Sequence, residues 1–159
     1  DLGGGLSIPY APEDPVVDVA AFGQAIHDAT HDLNVELIIE PGRFLVGNAG
    51  VLLTEVLGTK HGADRSFVVV DAAMNDLMRP ALYQAHHTIV PVTPPSSTDS
   101  TGNTATYDVV GPVCECGDFL GQARPLHQPR TGEFFAVLSA GAYGIAMAST
   151  YNSRPLPAE

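Results

Sequence analysis

The chain has 159 residues, with 7 basic against 18 acidic side chains for a formal net charge of −11, and only two cysteines. So acidic a chain argues against nucleic acid or an anionic membrane as partner, and no apolar run approaches the roughly 18 residues of a membrane span. The C-x-C spacing of Cys114 and Cys116 suits neither a disulfide nor a zinc site, so no metal is expected and a reducing cytoplasm fits best.

The chain opens on Asp1-Leu2-Gly3-Gly4-Gly5, the tail of a strand running into glycines. Asp14-Pro15 reads as a helix N-cap followed by proline in the first turn. Val19, Phe22, Ile26, Ala29 and Leu33 then recur at spacings of three and four as one apolar stripe, with Asn34 as the expected stop. Val35, Leu37, Ile38 and Ile39 read as a buried strand that ends on Glu40, where Pro41-Gly42 breaks it and Arg43 follows. Strand, helix and strand in that order predict a right-handed crossover with parallel strands. Both glycine sites then share one rim, at the strand ends where α/β folds gather their chemistry. Glycine backbone lets amides approach a phosphate, and an arginine adds a forked charge. Taken alone, Glu40-Pro41-Gly42-Arg43 stays open between such an anion seat and a strand-to-turn junction with a surface salt bridge.

Beyond Arg43 the pattern changes. A short turn or helix is expected over Phe44–Gly50, then a strand over Gly50–Lys60, a turn at His61–Asp64 and a second strand over Ser66–Asp71, together a hairpin. Ala72–Tyr83, interrupted by Pro80, predicts short helical turns, and His87–Val92 a third strand. Thr93–Thr104 is rich in Pro, Ser, Thr and Gly and reads as an exposed loop. Tyr107–Val113 and Glu133–Ser139 complete the predicted strands. Two strand ends and one or two helices fall far short of an α/β barrel of roughly 250 residues. The expected fold class is therefore α/β plus β. Residues 1–50 would be the last part of an eight-stranded α/β barrel, and residues 51–159 an incomplete, mostly antiparallel β domain of Greek-key barrel or sandwich type, the whole a piece of a longer protein. A small self-contained α+β domain is the alternative.

Four motifs occur in order across essentially the whole chain: D-L-G-G-G at 1–5, E-P-G-R at 40–43, C-E-C-G-D at 114–118 and G-A-Y-G at 141–144. Together they resemble the signatures of the fold-type III pyridoxal-phosphate decarboxylases, with the diaminopimelate decarboxylases as the best match. The resemblance implies a pyridoxal 5′-phosphate-binding barrel of the alanine-racemase type, a homodimer with its active site at the interface, and decarboxylation of meso-2,6-diaminopimelate to L-lysine, the last step of lysine biosynthesis. By the same resemblance Gly4, Gly5, Gly42 and Arg43 hold the phosphate. Glu40 lies beside the pyridine nitrogen and keeps it protonated. Tyr143 stands near cofactor and substrate, and Arg43 also reaches a substrate carboxylate. Cys114 acts as proton donor from the partner subunit, and Glu115 binds the distal amino group. Arg79 with Tyr83, at i and i+4, grips the second carboxylate, which ornithine or lysine would leave unmatched.

Without the resemblance, Tyr143 reads as a half-buried tyrosine in a glycine-rich turn, and Arg79 is open to being a surface partner of Asp76 worth little. Cys116 departs from the family, which usually has Ser or Thr there. The one lysine, Lys60, reads as a solvated surface residue; in the family the cofactor lysine lies early in the barrel, so this chain alone is expected to be inactive. His27, His31, His61, His86 and His87 read as surface or helix-face residues. The other functions open to the sequence are a decarboxylase of ornithine, arginine or carboxynorspermidine type, and a non-catalytic partner-binding homologue or fragment.

Overall fold

The computed structural model describes residues 1–94 and 104–159. Its helices are α1 (Val19–Thr30), α2 (Gly42–Val46) and α3 (Arg79–Tyr83). Its strands are β1 (Leu52–His61), β2 (Ser66–Val70), β3 (Ile89–Pro91), β4 (Thr104–Val110), β5 (Phe119–His127) and β6 (Phe134–Val137).

The first helix starts four residues later than Asp14 suggests. Asp18 is the cap, its side chain accepting from the Ala21 amide at 2.9 Å, because Pro15-Val16-Val17 favours extended backbone. Asp14 instead closes the preceding turn, Oδ2 accepting from the amides of Tyr10 (2.8 Å) and Ala11 (2.9 Å). The helix also ends early, at Thr30 with His31 as its C-cap, rather than at Asn34.

Residues 35–40 are the larger correction. They run extended beside the chain start, with Leu2 N donating to Ile38 O at 2.9 Å and Glu40 N to Gly3 O at 2.7 Å, in the parallel sense. Two such bonds do not make a regular ladder, and the expected burial is not found: Val35, Leu37, Ile38 and Ile39 are all exposed. The described residues supply no layer to cover them.

The β region forms one six-stranded sheet in the order β3-β6-β1-β2-β4-β5. All pairings are antiparallel except β2 with β4. Alternation aims Thr54 and Val56 of β1, Val68 and Val70 of β2, Tyr107 and Val109 of β4, and Phe135 and Val137 of β6 inward. The sheet nearly closes on itself. A Cβ added to Gly121 of β5 would lie 3.1 Å from Ile89 Cδ1 of β3, and Arg124 of β5 donates to the His86 ring beside β3 at 2.6 Å. The predicted β1–β2 hairpin is present, as are β3, β4 and β6, while β5 went unread. Its Gly121 and Pro125 spoil any alternation, Ala123 takes a positive φ of 51°, and the register with β4 shifts. Pro125 is tolerated because β5 lies at the end of the strand order. The predicted loop over Thr93–Thr104 lies, but for its ends, outside the described residues.

Two seams join the N-terminal segment to the sheet. Thr88 Oγ1 donates to Tyr10 O at 3.0 Å, with Leu6, Ile8 and Ala11 buried nearby in the chain. At the second, Ala140 N donates to Gly50 O (2.9 Å) and Gly141 N to Gly47 O (3.0 Å). A Cβ on Gly141 would strike the Val46 carbonyl oxygen and come within 2.8 Å of Gly50 N. Gly141→Ala should therefore lower stability by about 2–3 kcal/mol or more. Gly23→Ala, in the open middle of α1, should raise it by up to ~1 kcal/mol. Urea unfolding of the two variants checks the contrast.

Candidate active site

The site is built where the two glycine segments meet. Gly3 (φ +70°) and Gly5 (φ +100°) sit in the left-handed region that glycine enters without strain. Between them, a Cβ on Gly4 would lie 2.8 Å from the carbonyl oxygen of Glu40, so the two backbones touch there. Gly42 N donates to that same carbonyl at 2.8 Å. Among the described residues the amides of Gly4 and Gly5 have no acceptor. Bare backbone, free amides and the neighbouring Arg43 fit a phosphate group such as that of pyridoxal phosphate.

Arg43 on α2 and Arg79 on α3 come from two different helices to one aromatic ring. Their guanidinium carbons lie 5.6 Å and 5.9 Å from the centre of Tyr143, itself at φ +61° in the Gly141–Gly144 turn. Arg79 is 8% exposed and stacks at 4.4 Å over a second ring, Tyr10. Neither arginine has a carboxylate within ion-pair distance among the described residues. Asp76, the surface partner expected of Arg79, pairs with Arg154 at 3.3 Å. Tyr83, by contrast, stands 63% exposed at the far end of α3 and does not join Arg79.

His87 was expected on the surface and is instead fully buried. Arg79 Nη1 donates to its Nε2 at 3.0 Å, so Nδ1 carries the proton and donates to Leu138 O at 2.9 Å. Tyr10 meets the imidazole edge-on at 5.2 Å. Burial, with the charges of Arg79, His86 and Arg124 added, lowers the His87 pKa to about 4 against the pull of the Leu138 carbonyl. The alternation of 87, 89 and 91 onto one face of an apolar strand was the signal that could have found it. Tyr10 left none.

Cys114, Glu115 and Cys116 are exposed on a separate loop, both thiols free. Asp118 shapes that loop from beneath. Its buried carboxylate accepts from Val113 N at 2.6 Å and Met74 N at 2.7 Å, and burial raises its pKa. Among the described residues the Glu115 carboxylate has one hydrogen bond, accepted from the Tyr151 hydroxyl at 3.4 Å. No hydrogen bond or ion pair joins Cys114 or Glu115 to Arg43, Arg79 or Tyr143. Lys60 is exposed and paired across the hairpin with Phe67. Among the described residues no cluster suits a metal ion, and no helix is long and apolar enough to cross a membrane.

Residues 16–141 match the family described as "Pyridoxal-dependent decarboxylase, C-terminal sheet domain". The chain is 51% identical, over all 159 residues, to diaminopimelate decarboxylase of Neisseria meningitidis serogroup A, and 45% identical to that of Aquifex aeolicus. It spans 37% of the length of each. Among solved structures, diaminopimelate decarboxylase of Helicobacter pylori complexed with L-lysine superposes with a TM-score of 0.87 at 40% identity, over 97% of this chain and 36% of that one.

The buried imidazole makes stability depend on pH. Unfolded, His87 takes a proton near pH 6.5; folded, it resists until about pH 4. The unfolded state therefore binds more protons as pH falls between those values, and stability should drop by up to roughly 3 kcal/mol across that window and level off below it. Urea unfolding at pH 7, 5.5 and 4 measures this, and His87→Gln should flatten the His87 share of the slope.

Proposed function

The chain belongs to the pyridoxal-dependent decarboxylases, and from that premise we propose that, within a protein of its relatives' length, it serves the decarboxylation of meso-2,6-diaminopimelate to L-lysine in the cytoplasm. Residues 1–50 would complete the cofactor-binding α/β barrel and residues 51–159 form the β domain of a homodimer.

The observation that carries the reading is the pair of guanidiniums around Tyr143, without a carboxylate partner among the described residues. A buried cation without a counter-charge costs several kcal/mol, so the site is poised for an anion. Diaminopimelate brings an acid group at each end. Arg79 takes the distal one, and Arg43 reaches the other while closing on the phosphate. Ornithine and lysine, which lack the second acid group, leave Arg79 unmatched.

The free amides of Gly4 and Gly5, with Gly42, would hold the phosphate, and Glu40 would keep the ring nitrogen protonated. Bound pyridoxal phosphate supplies an electron sink for the pair left behind when the carbon–carboxylate bond breaks. Tyr143 packs against cofactor and substrate and limits water there. Glu115, from the partner subunit, binds the distal ammonium. Cys114 Sγ, on the same partner loop, returns one proton to the carbon that lost carbon dioxide. Lys60 takes no part.

Two measurements test this in the full-length protein. Arg79→Ala should cut kcat/KM for diaminopimelate at least a hundredfold, the loss expected when a substrate carboxylate loses a charged partner, and leave any trace activity on ornithine unchanged; equal losses on both would remove the specificity role. Mixing Cys114→Ala with Arg79→Ala subunits, each nearly inactive, should restore about a quarter of wild-type activity, since random reassociation in a two-fold dimer leaves one intact site in half the dimers. No recovery would place Cys114 and Arg79 in the same subunit's site.

A further inference from the structure

We propose that His87 is a positioning residue for Arg79: its neutral ring fixes the direction of the guanidinium and thereby sets the affinity for the acid group that Arg79 takes. The inference rests on the reading of Arg79 as a substrate-carboxylate ligand.

The imidazole joins three elements. It follows α3, from which the chain turns back at Gln84 (φ 54°), with Ala85 N donating to Arg79 O at 3.3 Å. Its Nδ1–H is tied to Leu138 O, and Leu138 N donates in turn to Thr88 O at 2.8 Å. Leu138 lies five residues before Tyr143. The ring is thus fixed to the segment that carries Tyr143, and it presents Nε2 as the one hydrogen-bond acceptor Arg79 has among the described residues. Tyr10 covers a face of the guanidinium at 4.4 Å. With one donor taken and one face stacked, the orientation of the plane is set, and the remaining N–H groups are free for a ligand.

The arrangement works only while the imidazole is neutral. The charged and titratable groups facing it are Arg79 from α3, His86 beside it and Arg124 from β5, with uncharged Tyr10 on the remaining side. None is acidic. A second proton on the ring would abolish the acceptor and set a cation 3.0 Å from the Arg79 guanidinium.

The test uses the full-length enzyme loaded with pyridoxal phosphate. Asparagine at 87 can keep the bond to Leu138 but cannot reach Arg79, whereas glutamine can offer its amide oxygen where Nε2 stands. His87→Asn should raise KM for diaminopimelate about tenfold, the size of one lost hydrogen bond to a charged group, with a smaller change in kcat and unaltered cofactor absorbance. His87→Gln should stay within about threefold of wild type on the same scale. Independently of turnover, phenylglyoxal labelling of Arg79, read by peptide mapping on folded protein, should be faster in His87→Asn than in wild type or His87→Gln. Equal kinetic losses in the two variants, or equal labelling rates in all three proteins, overturn the proposal. A wild-type enzyme inert toward diaminopimelate removes the substrate reading instead, while unequal labelling still supports the hold of the ring on Arg79.

Discussion

Arg79 is a charge removed from water with no opposite charge beside it among the described residues, and much of the described structure serves to make that tolerable. Its side chain is held by two aromatic rings and a neutral imidazole, partners that accept or stack on a guanidinium without neutralising it. A carboxylate in place of His87 would satisfy the arginine fully and leave nothing for a ligand to gain. The site is kept short of one anion.

Holding such a group still requires a stiff mount, and residues 71–79 supply it. Thr54, buried in β1, donates to Asp71 Oδ1 at 2.7 Å and accepts from Ala72 N at 2.9 Å, so both roles of its hydroxyl are filled. Asp76 receives Ala73 N and Arg154. Asn75 bonds Ser149 O and Arg154 Nε. Asp118 takes Met74 N from the other side. The segment has almost no regular secondary structure, yet side chains from four parts of the chain fix its backbone. Because Asp118 also shapes the Cys114 loop, the loop bearing the thiol and the helix bearing Arg79 are referenced to the same piece of backbone.

The sequence was most legible where local rules act alone. Apolar runs located β1, β2, β3 and β6, alternation located β4, and punctuation by glycine and proline located the two glycine sites whose backbones meet at Glu40. It misled where competing local signals were of similar strength: Asp14 and Asp18 are both good caps, and only the β-branched pair between them favours the second. It failed for β5, where glycine, proline and a bulge erase periodicity on an edge strand that the sheet nonetheless pairs. Tyr10 was illegible for a different reason. Its importance lies in the long-range neighbour it meets, and no spacing of fewer than ten residues encodes the contact between Tyr10 and Arg79.

The uncovered ribbon of residues 35–39 has its own consequence. Its aliphatic side chains project from extended backbone whose ladder is only half made, the combination through which unguarded strands recruit copies of themselves. The chain in isolation is thus prone to clump through this one stretch. Whatever keeps it from doing so must lie over Ile38.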